Sequence, residues 1–262
     1  MARGRELSAA SRREQLLIRL RQSDGEVHVS ELERLFGVSA VTVRADLSAL
    51  AEQGLVVRTH GGAILAERPR SELTFATRDA THAELKYRIG LAAVELISNQ
   101  SAIVLDASTT ALAIARALKS HEWEGLTVVT NGLLTALELV GVAGVTTLLT
   151  GGHVRDTGYS LVGPLARDHL ENVSASVGFF GAAGLTPTRG LTDLNLDEVE
   201  IKSALVGACQ RVVAVVDHTK LGQMGLAMFA PVKRLGLVIT DDQADPSHVS
   251  ALRRAGVEVR LV

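Results

Sequence analysis

The sequence predicts an α/β protein in two parts: a small helical domain that ends in a β-hairpin, and a larger domain built on a parallel sheet. Two observations lead to this prediction. About 65 residues at the start contain three helical patterns and two β-branched runs, whereas the region after residue 86 alternates short apolar runs with helical patterns. The chain has 262 residues, of which 47% are hydrophobic and 21% charged, so it has enough apolar material for two cores and is unlike a disordered chain.

Three helices and a hairpin are predicted for a first domain at residues 1–66. Residues 11–22 carry leucines at helical spacing, which is typical of an amphipathic helix. Ser30 has the position of a capping residue for a second helix, and Ser39 for a third. Residues 55–64 hold two short runs around paired glycines, which indicates a hairpin. The predicted inner faces of the second and third helices are Leu32, Leu35, Phe36, Val43, Leu47 and Leu50.

Two helices joined by a tight turn are typical of a DNA-binding helix-turn-helix, whose second helix enters the major groove. A helical wheel places Arg44 outward, where it can reach guanine edges or a phosphate. Arg58 and His60 on the hairpin are candidates for gripping the DNA backbone, and Arg12 and Arg13 for flanking the first helix. The predicted contacts from the third helix are Ser39, Val41, Thr42, Arg44, Ala45 and Ser48.

The charge distribution supports DNA binding only weakly. The formal net charge is −2, yet residues 1–70 carry 11 Arg and no Lys against 9 Asp or Glu, so the amino-terminal part is the basic end. Because this excess is small, a helical docking domain with solvated arginines remains an alternative on pattern alone.

A linker is predicted at residues 67–86, where the apolar periodicity lapses, and a second domain at residues 87–262. Its apolar runs lack polar alternation, which indicates strands covered by helices on both faces of a parallel sheet. The predicted strands are Ala102–Leu105, Thr127–Thr130, Val145–Thr150, Val177–Phe180, Val212–Val216, Leu237–Thr240 and Val257–Leu261.

Polar and glycine residues follow the first three of these strands. Residues 106–110, Asp-Ala-Ser-Thr-Thr, open a helix whose free N–H groups and dipole favour an anion such as phosphate. Thr130-Asn131 and Thr150-Gly151-Gly152 follow the next two strands. Because the carboxyl ends of parallel strands line one crevice, these loops can converge on a small ligand. Ordinary helix capping remains an equal alternative for residues 106–110.

Charged residues further along suit the same ligand. Lys220 can neutralise a phosphate, and Glu198, like Asp106, can accept hydrogen bonds from sugar hydroxyls. An enzyme is a second possibility, with Glu198 or Asp217 as base and His218 as proton carrier. Surface or capping roles for the carboxylates stay open.

Several kinds of protein are disfavoured. The single cysteine, Cys209, excludes an internal disulfide, and a start without a signal-peptide pattern leads us to expect a cytoplasmic location. The longest apolar stretch, residues 133–149, is too short and too polar to span a bilayer. The chain has no zinc-ligand spacing, P-loop or Gly-x-Ser-x-Gly motif, so we expect no metal and no cofactor.

Residues 12–63 resemble the winged helix-turn-helix of the DeoR family of bacterial transcription regulators. One departure is Ala45, which stands where the family usually has a second consecutive Arg and so bears on the operator sequence. The resemblance rests on Val38-Ser39, Thr42-Val43-Arg44, Asp46-Leu47, Leu50, Gly54 and Arg58-Thr59-His60-Gly61-Gly62-Ala63.

The rest of the chain is similar to the effector domain of that family, which resembles ribose-5-phosphate isomerase and glucosamine-6-phosphate deaminase and binds phosphorylated sugars. Ser108 replaces the usual glycine. Residues 11–15 and 252–259 look most like family members that control N-acetylgalactosamine use. The resemblance implies an effector site of Asp106, Ser108, Thr109, Thr110, Thr130, Asn131, Gly151, Gly152, Gly181, Glu198, Lys202 and Lys220.

The residues and the resemblance together predict a repressor of a sugar or amino-sugar catabolic operon. We expect it to bind double-stranded operator DNA, to be relieved by a phosphorylated sugar, to form a homo-oligomer and to catalyse no reaction. Two alternatives are an isomerase or deaminase with an appended DNA-binding domain, which predicts turnover, and a sugar-phosphate sensor that acts through protein partners, which predicts no binding to DNA.

Overall fold

A computed structural model describes residues 8–22, 26–52, 55–59, 61–65 and 74–262. The chain divides into two units, Met1–Leu73 and Thr74–Val262. None of the helices in the described ranges is long and apolar enough to cross a membrane.

The amino-terminal unit combines three helices with a three-stranded antiparallel sheet of order β1-β3-β2. The predicted hairpin is confirmed, since β2 and β3 pair, whereas the third strand, β1, was not predicted. The elements are α1 (Ala9–Gln22), β1 (Glu26–His28), α2 (Val29–Phe36), α3 (Ala40–Glu52), β2 (Val56–Arg58) and β3 (Gly62–Leu65).

Of the two serine caps predicted for helices of this unit, the structure contains one. Ser39 precedes α3, and its Oγ accepts a hydrogen bond from the Thr42 amide at 3.3 Å, so this cap is confirmed. The cap predicted at Ser30 is wrong, because α2 already begins at Val29. The Val29 amide donates to the Gly61 carbonyl at 2.9 Å, so the neighbouring strand connection supplies the acceptor that a capping side chain would provide.

The core of this unit is built from apolar side chains of all three helices. Leu35 was expected in it but is 55% exposed. The buried residues are Leu16, Leu20, Val27, Val29, Leu32, Val43, Leu47, Leu50, Val56 and Ala63.

A buried carboxylate ties α3 to α1. Asp46 is 2% exposed, and its two oxygens accept hydrogen bonds from Arg12 Nε at 2.5 Å and Arg13 Nε at 2.9 Å. The side chain of Arg12 is 11% exposed and turned onto Asp46, and its predicted contact with DNA stays a prediction. Arg13 keeps 35% of its side chain exposed.

The carboxy-terminal unit contains a seven-stranded sheet of order β15-β14-β12-β9-β4-β5-β6, in which all neighbouring strands are parallel. Each of the seven predicted strands lies in this sheet, which confirms the predicted fold class. The sheet strands are β4 (Ala102–Leu105), β5 (Leu126–Thr130), β6 (Val145–Leu149), β9 (Ala175–Phe180), β12 (Cys209–Val215), β14 (Leu235–Thr240) and β15 (Glu258–Leu261).

Helices cover this sheet, and two small antiparallel sheets lie outside it. One is the hairpin of β7 (His153–Arg155) and β8 (Ser160–Val162), and the other has the order β10-β11-β13. Neither was predicted. The remaining elements are α4 (Phe75–Ala80), α5 (Ala83–Val94), α6 (Thr109–Leu118), α7 (Leu133–Leu139), α8 (Pro164–Asp168), β10 (Gly184–Thr186), β11 (Gly190–Asp193), α9 (Leu196–Gly207), β13 (Ala227–Ala230) and α10 (Pro246–Arg254).

The linker predicted at residues 67–86 differs from the structure in its second half. Residues 75–80 form α4 and α5 begins at Ala83, so the carboxy-terminal unit starts at Thr74 rather than at residue 87. The apolar pattern missed α4 because this six-residue helix presents a single large buried side chain, Phe75. Residues 66–73 lie outside the described ranges.

We predict that Asp46→Asn destabilises the amino-terminal unit by about 3 kcal/mol, because it leaves the buried Arg12 guanidinium without its counter-charge. Urea unfolding with hydrogen exchange in α1–α3 measures the change and assigns it to this unit. Glu31→Gln is the matched control, because it breaks an ion pair with Arg19 in which the Glu31 and Arg19 side chains are 40% and 45% exposed. This variant should lower the free energy of unfolding by less than about 1 kcal/mol. Equal losses in the two variants would show that the Asp46 pair is no more important than a surface pair.

Candidate functional site

The outer face of α3 is exposed as the helical wheel predicts. Val41 is 74% exposed, and Arg44 and Ala45 are also exposed. Val43 and Leu47, on the opposite face, are 1% and 0% exposed. Of the other predicted contact residues, Ser39, just before α3, is exposed, and Thr42 and Ser48 are half-buried. None of the six predicted residues is therefore fully buried.

Arg58 connects the hairpin to this face. From β2, its Nη1 donates to the Arg44 carbonyl at 3.1 Å and to Ser48 Oγ at 2.8 Å. Arg58 is itself exposed, so it can contact a DNA phosphate while it holds the hairpin against α3. His60, the other predicted hairpin contact, lies outside the described residues.

Three loops at the carboxyl edge of the parallel sheet lie against one another. A Cβ on Gly132, after β5, would lie 3.0 Å from the Cα of Ala107, after β4. A Cβ on Gly181, after β9, would lie 2.4 Å from Ser108 Oγ. Side chains at either glycine would force these loops apart, so the glycines allow the loops to lie close together. The strand pattern predicts this for the loops after β4 and β5, and the loop after β9 joins them.

The first turn of α6 lies in this group of loops. Ser108 caps the helix, with Oγ accepting from the Ala111 amide at 3.1 Å. Its φ of −82° is ordinary, so the serine that replaces the family's glycine causes no backbone strain. Thr109 and Thr110 follow, and no described residue accepts a hydrogen bond from their amides. An anion can accept from both amides and from the hydroxyls.

A buried network fixes the ends of β4, β9 and β11. Lys202 Nζ, on α9, lies 3.1 Å from Asp106 Oδ2 and 2.7 Å from Asp193 Oδ2, and it donates to the Gly181 carbonyl at 3.1 Å. Asp106 also accepts from the amides of Ser108 at 3.0 Å and Gly181 at 3.1 Å. The side chains of Asp106 and Lys202 are 0% and 5% exposed and bind each other, and the ligand contacts predicted for them stay predictions.

The charges in this network stabilise one another. Burial alone would lower the pKa of Lys202, but the neighbouring Asp106, Asp193 and Glu198 raise it above its ordinary value. Burial would raise the pKa of Asp193, but the charge and hydrogen bond of Lys202 hold it below its ordinary value. Lys202 and Asp193 therefore each favour the charged form of the other.

Glu198 is held by the β7–β8 hairpin. It is 5% exposed and accepts hydrogen bonds from Ser160 Oγ and, at 3.4 Å, from Arg155 Nε. A Cβ on Gly158, in the turn of the hairpin, would lie 2.9 Å from Glu198 Oε1. Burial raises the pKa of Glu198 above its ordinary value, against the opposing charge of Lys202.

The loops after β5 and β6 complete this edge. The Thr150 amide donates to the Thr130 carbonyl at 3.0 Å. Gly151 and Gly152 then turn the chain into β7 with φ of 79° and 100°, a conformation that glycine adopts readily. Asn131 is fully buried, and no partner for its Oδ1 is found in the part of the chain that the structure describes. This oxygen can accept a hydrogen bond from a ligand hydroxyl.

Sequence reasoning missed one cation, Lys86 of α5. Its side chain is buried, and Nζ donates to the carbonyls of Arg78 and, at 2.6 Å, Thr81. Burial lowers the pKa of Lys86 to about 8 against the raising effect of Asp217, and Lys220 lowers it further. Lys86 and the predicted Lys220 thus lie near each other. The sequence feature that could have indicated a buried Lys86 is its helical spacing, which places it on the same face of α5 as the buried Ile89 and Ala93.

The residues proposed for catalysis are engaged elsewhere. Asp217 Oδ1 accepts from the amide of Thr219 at 2.9 Å and from its hydroxyl. His218 Nδ1 lies 2.8 Å from Asp241 Oδ1. Over the described ranges, no three His, Cys, Asp or Glu side chains are grouped so that they could hold a metal ion.

Comparison with known proteins identifies both parts of the chain. Residues 12–68 match the DeoR-like helix-turn-helix domain, and residues 81–242 match the DeoR C-terminal sensor domain. The chain belongs to the DeoR family. Members of this family are DNA-binding regulators of transcription, so the alternative of an enzyme is not supported.

Several DeoR-type relatives match over nearly their whole length. The HTH-type transcriptional regulator GolR of Listeria innocua is 37% identical, over 95% of this chain and 97% of that protein. The putative aga operon transcriptional repressor of Escherichia coli O157:H7 is 35% identical, over 97% and 94%. The glycerol-3-phosphate regulon repressor of Escherichia coli K12 is 32% identical, over 94% and 96%.

Among solved structures, ribose 5-phosphate isomerase A of Methanocaldococcus jannaschii is 15% identical with a TM-score of 0.39, and the match covers 53% of this chain and 55% of that chain.

We predict that Glu198→Gln makes the unfolding free energy of the carboxy-terminal unit less sensitive to pH. A carboxyl whose pKa is raised by folding stabilises the folded state below its ordinary pKa of 4.5, and this stabilisation is lost as pH rises through the folded-state value. The amide does not ionise, so the variant should gain stability relative to the parent as pH rises above the ordinary pKa of 4.5. Urea unfolding at several pH values measures the difference. A constant offset at all pH values would contradict the assignment to Glu198.

Proposed function

We propose that this DeoR-family protein is a cytoplasmic repressor of a sugar catabolic operon, and that a phosphorylated sugar bound at the sheet edge of its carboxy-terminal unit releases it from operator DNA. The observation that carries the proposal is that one chain combines an exposed helix-turn-helix face with a helix amino terminus, at the edge of a parallel sheet, whose amides and hydroxyls suit a phosphate.

The DNA half of the proposal is supported by the face of α3. Arg44 is exposed at the position from which a recognition helix reaches guanine or phosphate, and Ser39 and Thr42 lie at the start of the helix, where hydroxyls and amides suit a phosphate. Arg58 flanks it with an exposed positive charge, and Arg13 flanks it with a half-buried one that is paired with Asp46. Ala45 contributes no hydrogen bond, so apolar contact with thymine methyl groups is what this position can offer.

The effector half is supported by the polar groups at the sheet edge. The start of α6 supplies amides and hydroxyls for a phosphate, Lys86 and Lys220 supply positive charge, and the free Asn131 oxygen suits a sugar hydroxyl. One relative is named as the repressor of a glycerol-3-phosphate regulon. An amino-sugar phosphate is the finer proposal, and it rests on the sequence resemblance to regulators of N-acetylgalactosamine use.

Self-association is part of the proposal. A single helix-turn-helix reads only a few base pairs, and regulators of this kind gain affinity by placing two recognition helices on half-sites about one helical turn, or about 34 Å, apart. A homo-oligomer, dimer or tetramer, supplies the second helix.

We predict that Arg44→Ala weakens binding to a duplex selected by the wild-type protein by about tenfold, because a side chain that contacts a base or phosphate is removed. Gel-shift titration at one salt concentration measures the affinity. Arg254→Ala, which removes an exposed arginine of α10, is the matched control and should bind like the parent. Unchanged affinity of the Arg44 variant would remove this residue from the DNA-contacting face, and failure of the parent to bind any duplex at low salt would favour a sensor that acts through protein partners.

We also predict that a sugar phosphate raises the melting temperature, since a ligand that binds only the folded state stabilises it in proportion to its saturation. The probes are galactosamine 6-phosphate, glucosamine 6-phosphate, ribose 5-phosphate and glycerol 3-phosphate, each compared with its unphosphorylated form. Lys220→Ala should lose most of the shift, whereas Lys233→Ala, at an exposed position, should keep it. A full shift in the Lys220 variant would contradict its phosphate role, and no shift in the parent would contradict the effector class.

A further inference from the structure

We propose that α4 is the element through which occupancy of the effector site alters the DNA-binding unit. The inference rests on the proposed function, because it concerns how that site is coupled to DNA. Helix Phe75–Ala80 is the first described element of the carboxy-terminal unit, so the chain enters this unit through it. Three sets of contacts fix this short helix, and each involves a different element of the effector site.

The first set joins α4 to the hairpin that holds Glu198. The Phe75 amide donates to the Thr157 carbonyl at 3.1 Å, and the Phe75 ring packs edge-to-face on Tyr159 with centroids 5.8 Å apart. Thr157 and Tyr159 flank Gly158, whose backbone lies against the Glu198 carboxylate. A displacement of this turn therefore acts on both Glu198 and Phe75.

The second set joins α4 to α6, the helix with the anion-binding terminus. The two terminal nitrogens of Arg116, Nη1 and Nη2, donate to the carboxylate of Asp79 at 3.1 Å and 2.9 Å. Such a bidentate pair fixes orientation as well as distance. Arg116 lies two turns from the first turn of α6, on the same rigid helix.

The third set closes the carboxyl end of α4. The ammonium of Lys86 donates to the carbonyls of Arg78 and Thr81 and lies in the field of Asp217 and Lys220. An anion that attracts Lys86 competes with these carbonyls. Phosphate binding at this edge thus bears directly on the end of α4.

Burial explains why binding must move these contacts. Ser108, Thr109 and Thr110 are 8%, 6% and 5% exposed, so a ligand reaches them only when a covering element withdraws. The β7–β8 hairpin lies against the neighbouring loop after β5, since the Leu161 amide on β8 donates to the Asn131 carbonyl at 2.7 Å. A groove of about 550 Å³, lined by Phe75 and by side chains of α6 and α7, borders α4 and leaves it room to shift.

The test separates coupling from binding. In the full-length protein, Tyr159→Ala breaks the first set of contacts and Asp79→Asn breaks the second, both at partly exposed side chains. Glu95→Gln is the control, because it breaks an exposed pair with Arg260 and leaves the contacts of α4 intact. Each protein is titrated with the selected duplex, with and without the sugar ester that shifts the parent most, and with the ester alone by calorimetry. We expect both variants to keep their affinity for the duplex alone and for the ester alone within about threefold of the parent. The ratio of the duplex Kd with ester to the duplex Kd without ester is expected to be about 5 to 150 in the parent and to fall by about threefold or more in each variant.

Glu95→Gln should keep the parent ratio of duplex Kd values. The double variant, which combines Asp79→Asn with Tyr159→Ala, should approach a ratio of one. A parent-like ratio in the double variant overturns the role of α4. Hydrogen exchange on the parent is independent of any variant: the ester should speed exchange of the Phe75 amide, and unchanged exchange overturns the proposal. Failure of the proposed function is distinguishable, because it appears in the parent, either as no ester binding or as a ratio of one.

Discussion

A lysine buried between two carboxylates is the constraint on which the geometry of the sheet edge depends. Lys202 draws together Asp106 after β4 and Asp193 at the end of β11, and its third contact is the main chain at Gly181 after β9. Removing three charges from water costs several kcal/mol for each ion, and only their mutual attraction and the added hydrogen bonds offset this cost. The loss of any one partner would leave the others buried without compensation. These side chains therefore form the frame of the site, and the groups left to meet a ligand are the amides and hydroxyls that the frame positions.

The amino-terminal unit uses the same physical device to present a surface. Asp46 lies on α3 between the buried Val43 and Leu50, and its pairs with Arg12 and Arg13 fix the rotation of α3 against α1. With the inner face fixed by packing and charge, Arg44 and Ala45 must point outward. Arginines that look equivalent in the sequence thus separate into two roles. Arg12 belongs to the frame, whereas Arg44 and Arg58 remain available to a nucleic acid.

Much of this architecture could be predicted because its elements carry clear apolar patterns. The seven strands of the parallel sheet follow from apolar runs, and the inner face of α3 from its helical spacing. β1, β7 and α4 were missed because polar residues interrupt them and leave no apolar run. At the candidate site, the pattern identified strand ends that lie close together but not which side chains bind each other. Sequence reasoning assigns Asp106 and Lys202 to the ligand because it cannot show that they bind each other. Their pairing joins residues about a hundred positions apart in the sequence. Lys86 was overlooked because its segment was taken for a linker.

The burial of the effector residues also determines what kind of ligand effect is physically available. A ligand shifts an equilibrium only by the difference in its affinity for the two states, however tightly it binds either one. If Thr109 and Thr110 were open in the structure described, a phosphate could bind without changing any contact, and DNA binding would not respond. Because they are buried, the proposed ligand must prefer a state in which the surrounding elements have moved, and a displaced β7–β8 hairpin would lose the contacts of Thr157 and Tyr159 with Phe75. The burial of Thr109 and Thr110 therefore gives the proposed ligand different affinities for the two states. The first contacts to change are those of α4, the helix through which the chain enters this unit.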